Sequence, residues 1–368
     1  MPLSTDCHEY TIIESLIMAD LAKRFTHNPI IKPADVKPSQ DGLIVECVLN
    51  PGAFVFNGKT GLLLRIAENA PATASTINVP LLDESEPTGM KILELDRNDP
   101  DLQADDPRVI TYKGDDLLTT VSHLRLAWST DGEHFIVDDK PFMMGQGKYE
   151  AYGIEDCRTS QIGETYHLTY TAVSGNGVAV GHATTKDWQT VNRKGLILPP
   201  HNKDVAIFEE KINGQYYALH RPSSKELGGN YIWLASSPDA THWGNHQCLA
   251  HSRAGKWDSQ RVGGGCAPIR TDKGWLEIYH GADENGRYCL GAILLDLNEP
   301  WKVLARSDEP IMEPTSPEEK DGFYSQCIFT NGHTVDGDTV TVYYGAADTV
   351  VCGARLSIRD ILSTLDLD

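Results

Sequence analysis

The stretch YGIEDCRTSQIGETYHLTYTA, residues 152–172, is the segment from which the fold can be worked out. It places Glu155 and Asp156 at the start of a strand, turns at Gly163, and returns through alternating aromatic and apolar residues. Successive side chains of a strand point to opposite faces, so only one of the two carboxylates is expected to face a given cavity. Taken alone, the pair could equally be an ordinary solvated surface pair.

The same hairpin pattern recurs along the chain, and this recurrence favours a functional role for the pair. Each further hairpin turns at a dipeptide containing glycine, as tight turns between strands do. These hairpins span residues 50–65, 204–221, 265–280 and 326–344. The later ones follow one another at roughly 50 to 60 residues, the period of propeller blades. The sequence therefore predicts an all-β fold, a five-bladed β-propeller with a long insertion in the first blade, residues 70–118.

An amphipathic helix is predicted before the first hairpin. Apolar residues recur at helical spacing between Thr11 and Phe25, which is typical of a helix with one buried face. We expect a helical extension over residues 1–28 and a single catalytic domain over residues 29–368. The helix either packs on the domain's own surface or forms a homo-oligomer contact, and the sequence leaves both open.

Composition excludes several classes of partner. The chain has 368 residues and a formal net charge of −20, which argues against nucleic acid and against an anionic membrane surface. No apolar run reaches transmembrane length, and the N-terminus lacks the basic region of a signal peptide, so a cytoplasmic location is expected. The eight cysteines are scattered without a CxxC pair. This favours reduced, buried thiols over disulfides or a metal site.

A propeller directs one end of its inner hairpins to a central channel. The start of the first strand and the end of the second lie at the same end of an antiparallel hairpin. The polar residues at these positions form a predicted ring, which includes Asn50, Arg65, Glu155, Asp156, Lys203, Asp204, His220, Arg221, Tyr279, His280, Asp283 and Asp348. The clustering favours Asp156, Lys203, His220 and Arg221 as functional residues.

The mixture of side chains indicates two ligands. Aromatic, amide and carboxylate groups suit a sugar, which needs paired hydrogen bonds and a stacking surface. Lys203, His220 and Arg221, with Arg65 or Arg125 as a further member, suit an anion rather than a general base. In so acidic a chain this basic cluster suggests phosphate. A phosphate nucleophile needs no protein base, so one acid carboxylate would suffice, and no cofactor or metal is expected.

Several separated motifs resemble glycoside hydrolase family 130, the β-mannoside phosphorylases and related mannosidases, from about Phe25 to the end of the chain. The segments that carry the resemblance are Gly153–Arg158, Asn202–Val205, Leu219–Pro222, Gly274–Gly281 and Tyr343–Asp348. The resemblance implies a five-bladed propeller and reversible, inverting phosphorolysis of a β-mannoside to α-mannose 1-phosphate. One departure is Cys157, where the family commonly has Pro.

The resemblance also implies roles for individual residues. Asp156 matches the proton donor, which is thought to act through a sugar hydroxyl. Lys203 and His220 match phosphate ligands, with Arg65 and Arg221 as companions. Asn50 and Asp348 match positions that hold the mannosyl ring. The candidate substrate-binding residues are therefore Asn50, Arg125, Glu155, Tyr279, His280, Asp283 and Asp348.

Two alternative functions stay open at this point. An inverting β-mannosidase would need a base such as Glu277 or Asp283 facing Asp156 across a water-sized gap. A non-catalytic sugar-binding propeller would need the basic cluster to be incidental. The linkage, β-1,2 or β-1,4, and the acceptor depend on loops such as the insertion, and the sequence does not decide them.

Overall fold

The computed structural model describes residues 20–106, 108–223 and 227–365, and nearly all of their regular structure is β. The strands of the first half are β1 (Lys23–Arg24), β2 (Ile44–Phe56), β3 (Lys59–Asn69), β4 (Thr76–Leu82), β5 (Met90–Asp96), β6 (Leu102–Gln103), β7 (Val109–Tyr112), β8 (Asp115–Leu118), β9 (Thr120–Ser129), β10 (Ile136–Val137), β11 (Ile154–Ile162), β12 (Thr165–Ser174) and β13 (Gly177–Thr185). Those of the second half are β14 (Asn192–Leu198), β15 (Asn202–Ile207), β16 (Tyr216–Pro222), β17 (Ile232–Ser237), β18 (Gly244–Ala250), β19 (Arg261–Gly263), β20 (Ile269–Arg270), β21 (Trp275–Ala282), β22 (Tyr288–Leu295), β23 (Val303–Arg306), β24 (Ile328–Asp336), β25 (Thr339–Ala346) and β26 (Val350–Ser357).

The described part of the chain has few helices, and all of them are short. A 3₁₀ helix spans Pro33–Asp35, α1 spans Pro317–Lys320 and α2 spans Ile358–Ser363. Within the described ranges, none of them is long and apolar enough to cross a membrane.

Five antiparallel sheets follow one another along the chain. Their strand orders are β2-β3-β9-β10, β11-β12-β13-β14, β15-β16-β17-β18, β19-β21-β22-β23 with β20 also paired to β21, and β24-β25-β26-β1. The predicted hairpins are confirmed: in four sheets they are the first strand pair, and in the fourth sheet the hairpin is the β20-β21 pair. Tight turns join most neighbouring strands, and such turns allow only antiparallel pairing.

Apolar side chains fill the spaces between consecutive sheets. Separate clusters join the first sheet to the second, the second to the third, the third to the fourth and the fourth to the fifth. A further cluster, which includes Val48 of β2 and Tyr343 of β25, joins the fifth sheet to the first. Each sheet therefore packs on the next, and the last packs on the first.

The N-terminal prediction is partly wrong. Residues 11–19 of the predicted helix lie outside the described residues, but residues 20–25 are not helical. Instead Lys23–Arg24 pairs antiparallel with Arg355 and Ala354 of β26, and the Phe25 N–H donates to the Gly353 carbonyl at 2.9 Å. The edge of β26 offers backbone partners that a short helix would not use. Phe25 packs inward as part of this added strand, so its spacing was misread as helical.

The insertion forms its own small structure. Residues 70–118 connect β3 to β9. These two strands pair directly with each other, and Asn69 stands opposite Thr120. The insertion folds into a two-stranded sheet, β4-β5, and a three-stranded sheet, β6-β7-β8. Val79, Leu95 and other apolar residues form its core. The predicted insertion is therefore confirmed, and it interrupts the first sheet without altering its order.

Candidate active site

Bulges interrupt the first strand of three consecutive sheets. The pairing register shifts between Leu49 and Gly52, between Glu155 and Arg158, and between Lys203 and Ala206. In each bulge an Asn or Asp has positive φ, and these residues are Asn50 at 34°, Asp156 at 48° and Asp204 at 56°. Asn and Asp tolerate this left-handed conformation better than other non-glycine residues. A bulge redirects side chains, and these bulges turn Asn50 and Asp156 toward each other.

Asp156 lies at the centre of this group and is buried. Its Oδ1 accepts a hydrogen bond from Asn50 Nδ2 at 3.1 Å and one from Arg65 Nη1 at 3.2 Å. The same guanidinium donates from Nη2 to Glu155 Oε1 at 2.8 Å and from Nε to Ser122 Oγ at 3.1 Å. The expectation that the two carboxylates face opposite sides is wrong. The bulge breaks the two-residue alternation, and both reach Arg65.

The charge on Asp156 is set by opposing effects. Burial raises the pKa of Asp156, but the positive charges of Arg65, Lys203 and Arg158 and the Asn50 hydrogen bond lower it, and the net pKa lies below the ordinary value. Asp156 is therefore a carboxylate at neutral pH.

Asp348 belongs to the same group through its electrostatics. It has a φ of 47° just after β25. Burial, followed by the negative charges of Asp156 and Glu155, raises the pKa of Asp348 to about 6, against the opposing effect of Arg65 and Arg108. Asp348 therefore changes its charge just below neutral pH.

The group also contains a lysine that is free to bind an anion. Lys203 stands opposite Arg221 in the β15-β16 ladder. It is half-buried, and no carboxylate of the described ranges forms an ion pair with it. It still acts on Asp156 by its charge. This ammonium group therefore has no competing carboxylate partner within the described structure.

Arg158 links three sheets and was not among the predicted site residues. Its buried guanidinium makes four hydrogen bonds, to the carbonyls of Asp156 at 3.1 Å, Gly264 at 3.0 Å and Gly265 at 2.7 Å, and to Asp204 Oδ1 at 3.0 Å. The bond to the Asp156 carbonyl holds the backbone of Asp156 in place. Its position in the opening motif was a signal, but its partners other than Asp156 lie 46 to 107 residues away, and no local pattern indicates them.

Asp204, a member of the predicted ring that was not among the candidate site residues, extends the network to two residues that were. Its Oδ2 lies 3.0 Å from Arg221 Nε and 3.5 Å from His280 Nε2. Arg221 Nη1 also approaches His280 Nε2 at 3.3 Å. Burial lowers the pKa of His280 to about 4 despite the adjacent Asp204 carboxylate. Arg221 and His280 are thus joined to Asp156 through Asp204 and Arg158.

His220 occupies a separate polar pair. It precedes Arg221 on β16 and therefore points to the other face of the strand. Its Nδ1 contacts the Asn202 side-chain amide at 3.1 Å, and its Nε2 lies 3.0 Å from His246 Nδ1. Burial, and then His246, lower the pKa of His220 to about 3. His220 is therefore neutral, and His246 was not predicted.

Three predicted residues are not brought to this group. Tyr279 faces the apolar cluster between the third and fourth sheets, and its hydroxyl donates to Asp258 Oδ2 at 2.7 Å. Arg125 is buried on the face of β9 opposite to Ser122 and donates to the Lys37 carbonyl at 2.5 Å. Asp283 accepts from the backbone N–H groups of two residues in its own turn. In each case strand alternation or a local turn takes the side chain elsewhere.

Glu277, one of the two candidate bases of a hydrolase, is buried with only 1% of its surface exposed. Its Oε1 accepts from the Gly265 N–H at 2.8 Å. Burial raises the pKa of Glu277 to about 8, although the Gly265 hydrogen bond and Arg158 oppose this. Glu277 is therefore a neutral acid at pH 7 and a poor base. Asp283, the other candidate, is committed to its turn.

The described part of the chain contains no disulfide bond. Its seven cysteines are free, and all but Cys248 are buried, as expected from their spacing. No group of three or more His, Cys, Asp or Glu side chains within the described ranges is arranged to hold a metal ion.

The family model and two relatives that match this chain all carry the name of a mannoside phosphorylase, with different linkages. The model of the family described as beta-1,4-mannooligosaccharide phosphorylase matches residues 106–367. The beta-1,2-mannobiose phosphorylase of Listeria innocua is 45% identical over 349 residues, which cover 94% of this chain and 98% of that protein. The beta-1,4-mannooligosaccharide phosphorylase of Ruminococcus albus is 32% identical, over 65% of this chain and 75% of that protein.

A solved structure is similar over nearly the whole chain. It is the Listeria innocua beta-1,2-mannobiose phosphorylase in complex with beta-1,2-mannobiose, with a TM-score of 0.90 and 44% identity over 94% of this chain and 99% of that one.

Proposed function

Because the chain belongs to glycoside hydrolase family 130, we propose that it catalyses the reversible, inverting phosphorolysis of a β-mannoside to α-mannose 1-phosphate. The observation that carries this proposal is the buried carboxyl group of Asp156, set among the cations Arg65 and Lys203. An acid for the leaving group and a cationic site for phosphate are the two groups that phosphorolysis requires.

The fate of the candidate bases supports phosphorolysis over hydrolysis. An inverting hydrolase needs a second carboxylate that is ionised and faces the acid across a water molecule. Glu277 is buried and neutral, and Asp283 caps its own turn. With phosphate as nucleophile no such base is needed.

Phosphate binding would also prepare Asp156 for its role. Arg65 and Lys203 lower the pKa of Asp156 in the free enzyme. A phosphate dianion beside them compensates their charge, so the pKa of Asp156 rises and the carboxyl can hold a proton. A phosphate oxygen then bonds to the anomeric carbon, the glycosidic C–O bond breaks, and the Asp156 proton passes to the leaving oxygen through a sugar hydroxyl. In the synthetic direction the Asp156 carboxylate takes that proton back.

The other predicted residues receive roles that follow from their positions. Asn50 and Asp348 hold the mannosyl ring beside Asp156, and Glu155 orients Arg65. Arg221 adds positive charge near Lys203, its ladder partner. His280 supports Arg221. His220 is a phosphate ligand through its Nε2, which lies 3.0 Å from His246 Nδ1. Phosphate would replace His246 as the partner of that nitrogen.

For the substrate we favour the β-1,2 linkage and mannobiose as its smallest form. The support is the similarity to the Listeria innocua enzyme over nearly the full length of both proteins. The similarity to the Ruminococcus albus β-1,4 enzyme is lower and covers less of the chain.

We infer further that the five sheets are the blades of a five-bladed β-propeller and that residues 29–368 form one catalytic domain. The five apolar interfaces, which return from the last sheet to the first, support this arrangement. Free thiols stay reduced in the cytoplasm, which supports a cytoplasmic location.

The experiment that tests the proposal is product analysis on β-1,2- and β-1,4-mannobiose, with and without inorganic phosphate. Phosphate-dependent release of mannose 1-phosphate from the β-1,2 substrate is expected, and Asp156→Asn is expected to abolish it. Free mannose formed equally well without phosphate would overturn the phosphorylase mechanism. Preferential cleavage of the β-1,4 substrate would overturn the linkage.

A further inference from the structure

A bulge in the fifth sheet meets the bulge of the first sheet that carries Asn50. The register between β24 and β25 shifts between Thr330 and Gly332, so Asn331 is the extra residue of β24. Thr330 Oγ1 donates to the Tyr343 carbonyl at 2.8 Å, which ties this bulge to β25. The extra residue of a bulge is left out of the ladder, and its side chain is redirected. The side chain of Asn331 is therefore free to bond outside its own sheet.

Two hydrogen bonds join Asn331 to the candidate proton donor. Asn331 donates from Nδ2 to the backbone carbonyl of Asn50 at 3.2 Å. A carbonyl oxygen can only accept, so the amide nitrogen of Asn331 must face it. Asn50 in turn donates from its own Nδ2 to Asp156 Oδ1 at 3.1 Å. The fifth sheet is thus connected to the carboxyl group of Asp156 by way of the first sheet.

The backbone of the fifth sheet also packs directly on the Asn50 bulge. A Cβ atom at Gly332 would clash with the backbone nitrogen of Ala53, and one at Gly345 would clash with Asn50 Oδ1. Glycine permits this close approach because it has no side chain. Asn50 has a φ of 34°, a conformation that costs free energy unless its surroundings hold it. The fifth sheet supplies both the packing and the hydrogen bond that hold it.

The hydrogen bonds of Asn331 itself contribute little to stability. The residue is only 1% exposed, and its Oδ1 has no hydrogen-bond partner in the part of the chain that the structure describes. A buried acceptor without a partner is destabilising, and this offsets much of the gain from the bond that Nδ2 donates. We therefore look to the geometry of Asn50, rather than to stability, for the contribution of this amide.

We propose that Asn331 is a positioning residue of the reaction, which holds Asn50 where its side chain can bond to Asp156 and to the mannosyl ring. The inference rests on the proposed function, in which Asp156 is the proton donor. Burial raises the pKa of Asp156, and the Asn50 hydrogen bond is among the contributions that lower it. Loss of Asn331 should therefore raise that pKa, while the phosphate ligands Lys203 and His220 stay in place.

The test measures phosphorolysis of mannobiose by the wild type, Asn331→Ala and Asn331→Leu, with each substrate varied in turn. Ala removes the donor, and Leu removes it while filling a similar volume. We expect both variants to lower kcat/KM for mannobiose about tenfold and to change KM for phosphate less than about twofold. The basic limb of the pH-rate profile, where Asp156 loses its proton, should move to higher pH.

Asn78→Ala is the matched control for these variants. It removes the same kind of bond, from Asn78 Nδ2 to the Pro71 carbonyl at 2.7 Å, in the insertion. This variant should keep the wild-type constants and pH profile, because the bond that it removes does not reach Asn50.

A double-mutant cycle with Asn50→Ala separates positioning from general damage to the fold. If Asn331 acts through the Asn50 side chain, adding Asn331→Ala to Asn50→Ala should lower kcat/KM further by less than about twofold. Full additivity of the two losses, or an unchanged pH profile in both Asn331 variants, would overturn the proposal. Failure of both variants to fold, seen in urea unfolding, would also overturn it, because it would assign Asn331 to stability.

Titration of Asp156 by NMR, with ¹³C-labelled aspartate side chains and Asp156→Asn to assign the signal, needs no turnover. A higher pKa of Asp156 in Asn331→Ala than in the wild type supports the positioning role, and equal values would overturn it. If the wild type releases no mannose 1-phosphate, the proposed function fails by itself, and this titration still decides whether Asn331 acts on Asp156.

Discussion

The replacement of Glu277 by Gln tests both the electrostatics around this buried carboxyl group and the choice of nucleophile. Glu277 is buried, accepts one hydrogen bond from the Gly265 N–H, and lies near Arg158. Gln has the same shape and keeps the accepting oxygen, but it cannot ionise and cannot serve as a base. We expect Glu277→Gln to retain phosphorolysis within about threefold of the wild type, because the proposed mechanism has no role for a second carboxylate.

The same substitution should change how stability depends on pH. Burial raises the pKa of Glu277 from the ordinary 4.5 to about 8 in the folded protein. Between these values the folded state holds a proton that the unfolded chain releases. The free energy of unfolding therefore falls as pH rises, by about 1.4 kcal/mol per pH unit from this group. Over the full interval the contribution approaches about 5 kcal/mol. Gln lacks this dependence.

Urea unfolding between pH 5 and pH 7.5 measures the effect. The stability of Glu277→Gln relative to the wild type should increase by about 1.4 kcal/mol for each pH unit across that range. Glu164→Gln is the matched control, because the Glu164 side chain is 90% exposed and its loss should leave the pH dependence unchanged.

Two results would refute this reasoning. Parallel pH curves for the wild type and Glu277→Gln would show that Glu277 is ionised in the folded protein. A loss of turnover of more than about a hundredfold, with folding intact, would identify Glu277 as a base and restore the hydrolase alternative.

Three further predictions concern the group around Asp156. Arg158→Lys should lower kcat by about tenfold to a hundredfold and destabilise the fold by ~3 kcal/mol, because one ammonium group cannot replace four buried hydrogen bonds. Turnover assays and urea unfolding midpoints measure these two effects. An unchanged kcat would contradict the positioning role of Arg158. Lys203→Met should raise KM for phosphate about tenfold or more with little change in KM for the mannoside, because the lysine ammonium group attracts the negative charge of phosphate. Varying each substrate in turn measures both constants, and equal changes in the two would contradict this role. Asp348 has a pKa of about 6 and is ionised above that pH, so wild-type kcat/KM should rise as the pH increases through 6. The pH-rate profile of Asp348→Asn should lack this inflection. An inflection retained in the variant would belong to another group.

Much of the fold was readable from local patterns. Two-residue alternation, glycine turns and their spacing identified one hairpin in each of the five sheets, because those signals act over a few residues. The same alignment predicted Asn50, Arg65 and Asp156 at one end of the hairpins, and the structure joins them through hydrogen bonds. The N-terminal segment was misread because pairing with β26, a partner more than 300 residues away in sequence, outweighs local spacing.

Only the tertiary structure decided which polar side chains meet. The bulge at Asp156 reverses the alternation and brings Glu155 to Arg65, and a one-residue bulge leaves little trace in composition. The role of Arg158 depends on carbonyls contributed by another sheet. Strand alternation turns Tyr279 and Arg125 away from the site, although their residue types suit it. Residue type and spacing therefore determined the candidates, and the packing of distant strands selected among them, because hydrogen-bond partners in this fold come from different sheets.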